Sequence, residues 1–207
     1  QAPVRGEWDV LVCGAGPAGI AAAVSAARMG MRVMVLERYG AVGGCLTLGN
    51  VTTVMGAVAP GTIRDEIAAL LRSPDSSTGI DNEQAKGLLV DLLRREGVEF
   101  RLQTSVLDAL VEDGVIHGVF AQTQAGLACY RAQRVVDATG DGYVSAMAGA
   151  QAMVGRDEDG LVQPSSLMYT IAGVDPASTL ICNHEEHYTD LGDGREYLQT
   201  CEKAAAE

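Results

Sequence analysis

The sequence predicts an α/β fold in which a parallel sheet is covered by helices. Three observations lead to this class. Residues 10–12 form a short apolar run of the kind that a buried parallel strand needs. A glycine-rich turn and a helix pattern follow directly, and residues 31–36 give a second apolar strand. Glycine accounts for 25 of the 207 residues, and an apolar fraction of 47% is enough for a sizeable core.

The turn after the first strand has the pattern G-x-G-x-x-G over residues 14–19. It suits a dinucleotide, because the first glycine allows a tight turn, the second leaves room for a pyrophosphate and the third lets helix and strand pack closely. The helix predicted from Ala18 to Met29 would present free N–H groups to the phosphates. Glu37 ends the second strand, near the spacing expected for an acid that binds a ribose. This order favours a dinucleotide site over a glycine-rich structural turn.

A loop with four glycines, residues 38–49, comes directly after Glu37. Glycine adds no bulk and tolerates positive φ, so such a loop can bring backbone N–H groups against a ligand. We interpret it as a ligand contact, with an ordinary flexible connection as the alternative. The Glu37 carboxylate would repel a 2′-phosphate, so the pattern disfavours NADP.

The remaining elements follow from helix caps, strand runs and turns. Residues 1–8 are interpreted as a polar lead-in. Helices are predicted from a capping-box start at Thr62 to about Arg72, and from an N-cap at Asp81 to Gly97. A hairpin turn is predicted at residues 113–114. The predicted strands of this region cover residues 98–102, 105–111, 115–122, 127–132 and 134–137. The pattern then gives a small-residue helix over 143–150, one further strand over 165–172 and a polar helix or loop over 182–188.

Charge and cysteine content restrict the partners and the setting. The formal net charge of −12 argues against nucleic acid and anionic membrane surfaces as partners. The five scattered cysteines include no C-x-x-C pair, so we expect a reducing, cytoplasmic setting rather than a disulfide framework. Residues 10–27 lack charge and are long enough to imitate a membrane span, but the glycine-proline cluster in their middle favours strand-turn-helix.

The whole order of elements, ending in a β-meander and a strand that runs into Asp-Ala-Thr-Gly-Asp, resembles the FAD-dependent oxidoreductases of the glutathione-reductase type. Within that superfamily the chain is most similar to the fumarate-reductase-like and thiazole-synthase-like branch, over residues 8–175. The resemblance implies a Rossmann-like FAD-binding domain over residues 1–155, the start of a substrate domain over 156–207, FAD as the cofactor and a small organic molecule as the substrate. An NAD-dependent dehydrogenase would share the first βαβ unit but not the meander and the Ala-Thr-Gly-Asp turn.

The resemblance also implies cofactor contacts, carried over by position. They are Gly14, Gly16, Pro17, Ala18 and Gly19 at the pyrophosphate; Leu36, Glu37 and Arg38 at the adenosine ribose; Gly43, Gly44 and Cys45 along the pyrophosphate and ribityl chain; Thr47 and Leu48 nearer the flavin ring; the backbone of Val106 at the adenine; and Ala138, Thr139, Gly140 and Asp141 closing over the cofactor. For Val106, plain core packing is an equal alternative.

The sequence departs from the family pattern in two ways. No second cysteine follows Cys45 before Cys129, which excludes the paired-cysteine redox mechanism of the disulfide reductases. The late strand and Gly-Asp or Gly-Glu turn that family members place near the flavin do not occur by residue 207. We therefore expect a second polypeptide or a C-terminal half to complete the fold.

Several potentially reactive side chains are predicted to have structural or solvent-exposed roles rather than catalytic or metal-binding ones. Cys45 is interpreted as a small side chain in a tight loop rather than a redox or covalent-flavin residue, and His117 as a half-buried or surface residue rather than a catalytic one. Residues 182–187 contain H-E-E-H, which lacks zincin spacing and favours a solvated segment over a metal site. Catalytic residues are not evident, since a flavin carries the hydride itself. Two function classes remain: a hydride-transferring FAD-dependent oxidoreductase, and a non-catalytic nucleotide-binding subunit.

Overall fold

A computed structural model describes residues 2–52, 59–73, 79–163, 165–168, 188–190 and 196–198. The chain forms two compact units, Gln1–Met168 and Tyr169–Glu207. The described elements of the first are β1 (Val4–Cys13), α1 (Pro17–Arg28), β2 (Val33–Leu36), a 3₁₀ turn (Gly44–Leu46), α2 (Ile63–Leu71), α3 (Asn82–Arg95), β3 (Glu99–Arg101), β4 (Ser105–Glu112), β5 (Val115–Thr123), β6 (Gly126–Asp137) and α4 (Tyr143–Met147). In the second, β7 (Tyr188–Asp190) pairs antiparallel with β8 (Glu196–Leu198).

One sheet contains all six strands described in the first unit, in the order β3-β2-β1-β6-β5-β4. The strands β3, β2, β1 and β6 are parallel, and β6, β5 and β4 form the antiparallel meander. At its last residue, β1 has neighbours on both sides: Cys13 is in register with Leu36 of β2 and with Asp137 of β6. Three strands therefore end side by side at one edge of the sheet.

Two apolar clusters cover the two faces of the parallel strands. Val12 and Val35 pack with the helices, in a cluster that includes Ile20 of α1 and Leu92 of α3. Their neighbours along the strands, such as Leu11, face the other way and pack with residues of the meander and of α4. Every residue of β2 is buried. This double cover explains why the parallel strands read as continuous apolar runs.

Two strand predictions were wrong because long-range pairing overrides the local pattern. Residues 4–8 are not a lead-in but the outer half of β1, where Val4 and Glu7 pair with Cys129 and Arg131 of β6. Residues 127–132 and 134–137 belong to one strand, β6, which pairs with β5 over residues 126–131 and with β1 from Cys129 to Asp137. The exposed Gln133 interrupts the apolar pattern but not the backbone ladder.

Most of the turn and cap predictions were confirmed. Asp81 caps α3 by accepting hydrogen bonds from the backbone N–H groups of Glu83 and Gln84, both at 2.9 Å. Asp113 and Gly114 both have positive φ, as a two-residue hairpin turn requires. At α2 the Thr62 side chain makes no capping bond, and within the described ranges its hydroxyl oxygen lacks a hydrogen-bond partner.

The second part of the chain leaves several predictions open. Residues 165–168 are not a strand, and 169–172 and 182–187 lie outside the described residues. The domain division after residue 155, and the second polypeptide or C-terminal half, stay predictions. None of the described helices is long and apolar enough to span a membrane.

Candidate dinucleotide-binding site

The predicted contacts cluster where β1, β2 and β6 end. The glycine turn follows β1, Glu37 and the second glycine loop follow β2, and the Ala138–Asp141 loop follows β6. Ligands of open α/β sheets bind outside the carboxyl ends of the strands, because loops with free backbone groups meet there. The topology therefore brings together segments that lie more than a hundred residues apart in the sequence.

The three glycines of the first turn have different surroundings. A Cβ on Gly14 would overlap the carbonyl oxygen of Ala138, and a Cβ on Gly19 would overlap the carbonyl oxygen of Gly14. A Cβ on Gly16 would meet nothing within 4 Å. Gly14 and Gly19 are therefore needed for the packing of the chain itself. Gly16 instead borders open space, and that space is where a pyrophosphate would fit.

Helix α1 begins next to this open space. Gly16 is its N-cap and makes no side-chain capping bond, and Pro17 occupies the first helical position. Pro17 has no N–H to satisfy, and the side chain of Ala18 is too short to cover the helix end. Both residues are exposed. The positive end of the helix dipole is thus open to an anion.

Glu37 is buried, with 5% of its surface exposed, and its carboxylate accepts two backbone hydrogen bonds. The N–H of Ala15 donates to Oε2 at 2.7 Å, and the N–H of Tyr39 donates to Oε1 at 2.9 Å. Each oxygen keeps a further lone pair for a ribose hydroxyl. The carboxylate also ties the glycine turn to the segment after β2, a role that the sequence did not reveal.

The second glycine loop lies against the first turn. The N–H of Gly43 donates to the carbonyl of Ala15 at 2.7 Å, and a Cβ on Gly44 would lie 3.0 Å from the Cα of Gly16. Thr47 is buried, and its hydroxyl donates to the carbonyl of Val42 at 2.7 Å. Thr47 thus holds the loop in shape. Cys45 and Leu48 are exposed.

Val106 lies close along the chain to a segment that hydrogen bonds to the loop after β2. The N–H of Gln103 donates to the carbonyl of Tyr39 at 2.9 Å, and the N–H of Thr104 donates to the carbonyl of Glu37 at 2.8 Å. Val106 itself is half-buried and packs against the second cluster. Its strand, β4, is the last of the described strands in the sheet, where it pairs with β5. Both proposed roles of Val106, the adenine contact and core packing, are compatible with this position.

The loop after β6 begins in contact with the glycine turn. The N–H of Ala138 donates to the carbonyl of Cys13 at 2.9 Å. Thr139 is half-buried, whereas Gly140 and Asp141 are exposed. Tyr143, the first residue of α4, is also exposed. The loop therefore presents its outer residues at the same edge of the sheet as Gly16.

In the described part of the chain Cys13, Cys45 and Cys129 are free thiols. Burial, and to a lesser degree the charge of Asp137, raises the pKa of the Cys13 thiol to about 12, which keeps it protonated. Burial also raises the pKa of Cys129, against the opposing charge of Arg131. Both thiols are unreactive core groups. Within the described ranges, no group of three or more His, Cys, Asp or Glu side chains could hold a metal ion.

Comparison with known proteins identifies the family. A family model described as "FAD dependent oxidoreductase" matches residues 9–206. The tRNA uridine 5-carboxymethylaminomethyl modification enzyme MnmG of Bacillus subtilis (strain 168) is 31% identical over 165 residues, with 65% of this chain and 24% of the relative covered. Dihydrolipoyl dehydrogenase of Trypanosoma brucei brucei is 44% identical over 48 residues, covering 23% of this chain and 10% of the relative. The chain thus spans a quarter or less of these curated relatives.

Solved structures agree in fold. THI4 of Thermovibrio ammonificans superposes with a TM-score of 0.55 at 22% identity, covering 73% of this chain and 67% of that one. The open conformation of a flavocytochrome c3 fumarate reductase gives a TM-score of 0.50 at 17% identity, covering 65% of this chain and 34% of that one. The superfamily expected from the motifs is confirmed. With a family model that covers almost all of its residues, the chain belongs to the FAD dependent oxidoreductase family.

Proposed function

We propose that this chain holds FAD for an oxidoreductase that moves a hydride between a small organic substrate and the flavin. One observation carries the proposal. Open space above Gly16 lies between an uncapped helix N-terminus and a buried carboxylate, within a chain of the FAD dependent oxidoreductase family. An anionic pyrophosphate and a ribose diol require these two surroundings side by side.

The chain's own residues would bind and orient the cofactor. The N-terminus of α1 and the open face of Gly16 would hold the pyrophosphate, and Glu37 would accept hydrogen bonds from the adenosine ribose. The loop at Gly43 and Gly44 would follow the ribityl chain, with Leu48 toward the ring and the Ala138–Asp141 loop closing over it. When bound, FAD supplies the hydride chemistry through its ring system.

A small organic substrate fits the charge of the chain. The relative MnmG is named for an action on tRNA, but it matches over only 24% of its length. The 207 residues here have a formal net charge of −12. Proteins bind the nucleic acid backbone largely by neutralising phosphates with lysine and arginine, so an acidic chain of this kind opposes a polyanionic substrate. We therefore propose a small molecule in place of RNA.

The experiment compares flavin retention in two glycine variants. Gly16→Val fills the proposed pyrophosphate space, and its backbone (φ −72°, ψ −179°) accepts valine without strain. Gly87→Val is the matched control, since Gly87 is exposed on α3 and a Cβ there also meets nothing within 4 Å. The readout is flavin absorbance between about 350 and 500 nm relative to protein.

We expect flavin bands in the unchanged protein and in Gly87→Val, and a folded but flavin-free Gly16→Val. Stoichiometric flavin in a folded Gly16→Val protein would refute the assignment of this turn. Absence of flavin from the protein together with the second polypeptide or C-terminal half that completes its fold would favour the non-catalytic nucleotide-binding subunit instead.

A further inference from the structure

We infer that Asp137 is a positioning residue for the cofactor: its carboxylate fixes the shape of the loop over residues 138–143 without touching FAD. The inference rests on the proposed function. Asp137 lies just before the Ala-Thr-Gly-Asp turn and is not among the residues assigned to the cofactor. Its importance comes from the hydrogen bonds that its side chain accepts.

Four donors reach this one carboxylate. Its Oδ1 accepts from the backbone N–H of Thr139 at 3.2 Å and from the Thr139 hydroxyl at 2.7 Å. Its Oδ2 accepts from the backbone N–H of Ser145 and from the Ser145 hydroxyl, both at 2.8 Å. The end of β6, the loop and helix α4 are thus joined through a single side chain.

A second link extends from Thr139. Its hydroxyl donates to Asp137 and accepts a hydrogen bond from the N–H of Tyr143 at 2.9 Å. The next residue, Val144, is fully buried in the second apolar cluster and anchors α4 there. The loop is therefore fixed at both ends, because Asp137 accepts hydrogen bonds from Thr139 at its start and from Ser145 in α4.

Asp137 is unsuited to contact the cofactor directly. The four hydrogen bonds occupy its lone pairs, so it has no acceptor left for a ribityl hydroxyl. Burial acts to raise the pKa of Asp137, but the hydrogen bonds from Ser145 and Thr139 outweigh it and lower the pKa below its usual range. The side chain is therefore negative at neutral pH and would repel a pyrophosphate.

The loop that Asp137 holds also contacts the glycine turn. The carbonyl oxygen of Ala138 occupies the place that a Cβ on Gly14 would take. Asp137 is in register with Cys13, the residue before that turn, and the N–H of Ala138 donates to the Cys13 carbonyl. A loop that is no longer held by the carboxylate would shift at this contact, next to the proposed pyrophosphate position.

A graded set of variants tests the inference. Asp137→Ala removes all four hydrogen bonds. Asp137→Asn keeps one acceptor oxygen for one pair of donors, from either Thr139 or Ser145. Its amide N–H₂ then faces the other pair, from which it cannot accept a hydrogen bond. Ser145→Ala removes a single hydroxyl donor and leaves the backbone N–H of that residue in place. Asp108→Asn is the matched control, because Asp108 is exposed on β4 and, among the described residues, accepts a hydrogen bond only from the N–H of Ala109.

Two ligands are titrated into apoprotein of each variant. FAD reaches the whole site, whereas adenosine, which has no phosphate, probes only the end of the site at Glu37, away from the Asp137 network. Melting followed by the fluorescence of Trp8, the single tryptophan, verifies that each variant is folded. A general loss of structure would weaken both ligands equally, whereas a misplaced loop weakens FAD alone.

We expect Asp137→Ala to raise the Kd for FAD by about tenfold or more, with Asp137→Asn and Ser145→Ala between it and the unchanged protein. Adenosine affinity should stay the same in these variants, and the affinity of Asp108→Asn for FAD should equal that of the unchanged protein. Unchanged FAD affinity in folded Asp137→Ala, or in Asp137→Asn if the alanine variant does not fold, would overturn the inference while leaving the proposed function intact. Equal losses of affinity for FAD and for adenosine would also overturn it. If the unchanged protein binds no FAD, the proposed function fails as well.

Discussion

Glu37 shows how one side chain serves both the ligand and the chain. The sequence predicts a ribose acceptor at this position, and the structure adds that the carboxylate accepts the N–H groups of Ala15 and Tyr39. These donors lie in or next to the two segments that frame the site. A buried donor that loses its acceptor costs about 1–3 kcal/mol, so this residue contributes to folding as well as to binding.

Substitution of Glu37 should therefore change two quantities together. We expect Glu37→Ala to lower the melting temperature of the apoprotein and to raise the Kd for FAD at least about tenfold, because both backbone donors and the ribose lose their acceptor. For both quantities, Glu37→Gln should lie between Glu37→Ala and the unchanged protein, since its amide oxygen still accepts one N–H. The measurements are thermal unfolding without ligand and fluorescence titration with FAD.

The control for this pair is Glu112→Gln, at the exposed end of β4. An apoprotein melting temperature that Glu37→Ala leaves unchanged would contradict the structural role. An unchanged Kd for FAD would place the ribose elsewhere.

Among the elements, the three helices on one face of the sheet are joined by Arg28. This residue lies in the last turn of α1, where a positive charge suits the helix dipole. Its guanidinium donates two hydrogen bonds to Glu66, in the first turn of α2, at 2.7 Å each. It donates two more to Glu96, the C-cap of α3, at 3.1 and 2.8 Å. Such a network restrains the packing of three helices that otherwise meet through apolar contacts.

Arg28→Met should lower the melting temperature modestly, by about 1–3 °C at low salt, because exposed ion pairs contribute little to stability on average. Hydrogen bonds from Arg28 lower the pKa of Glu66 and of Glu96 below the usual range of a glutamate. The stabilisation is therefore present above the unfolded pKa and is lost as the pH falls through the lower, folded pKa. The difference between the two proteins should shrink below about pH 4 and in high salt.

Arg94→Met serves as the comparison, since Arg94 is exposed on α3. Thermal unfolding at pH 7 and at pH 3.5, each at low and high salt, measures the effect. A difference between Arg28→Met and the unchanged protein that does not depend on pH or salt would mean that Arg28 acts through packing of its aliphatic part.

At the scale of the whole Gln1–Met168 unit, the two apolar clusters are coupled through the sheet that they share. Adjacent residues of β1 face opposite clusters, as Val12 and Leu11 do. Trp8 belongs to the second cluster, stacks on Tyr130 and donates its indole N–H to Glu99 at 3.0 Å. It therefore reports on one face of the sheet, while the helices cover the other.

Leu92→Ala, in the cluster on the helix face, should destabilise the unit by about 2–5 kcal/mol, because Leu92 is 1% exposed and leaves a cavity. Trp8 fluorescence and far-UV circular dichroism should shift to the same lower melting temperature, since loss of the sheet removes both clusters at once. Leu107→Ala, at a position 47% exposed, should have little effect. A Trp8 transition that stays in place while the helical signal moves would show that the two faces unfold separately.

Much of the site could be predicted because its chemistry is local in sequence. The glycine turn, the helix after it and Glu37 lie within one βαβ unit, where the spacing itself reflects the geometry. The close contact between Gly14 and the carbonyl of Ala138 could not be predicted in this way, because it depends on the pairing of β6 with β1, which lie more than a hundred residues apart in the sequence. The four hydrogen bonds to Asp137 and the two to Glu37 are likewise invisible in a pattern, since an aspartate or glutamate looks the same whether it faces solvent, ligand or backbone.

The sequence by itself therefore determined the α/β class, the family and the order of the segments that meet at the site, since apolar periodicity and glycine spacing are set by residues close along the chain. The tertiary structure alone decided that β1 reaches back to Val4, that β6 is one strand shared by the meander and the parallel strands, and which carboxylates accept backbone hydrogen bonds within the chain. The physical reason is that backbone pairing and buried hydrogen bonds depend on partners distant in sequence. A polar residue such as Glu7 or Gln133 joins a strand when such a partner satisfies its backbone, whatever its own side chain prefers.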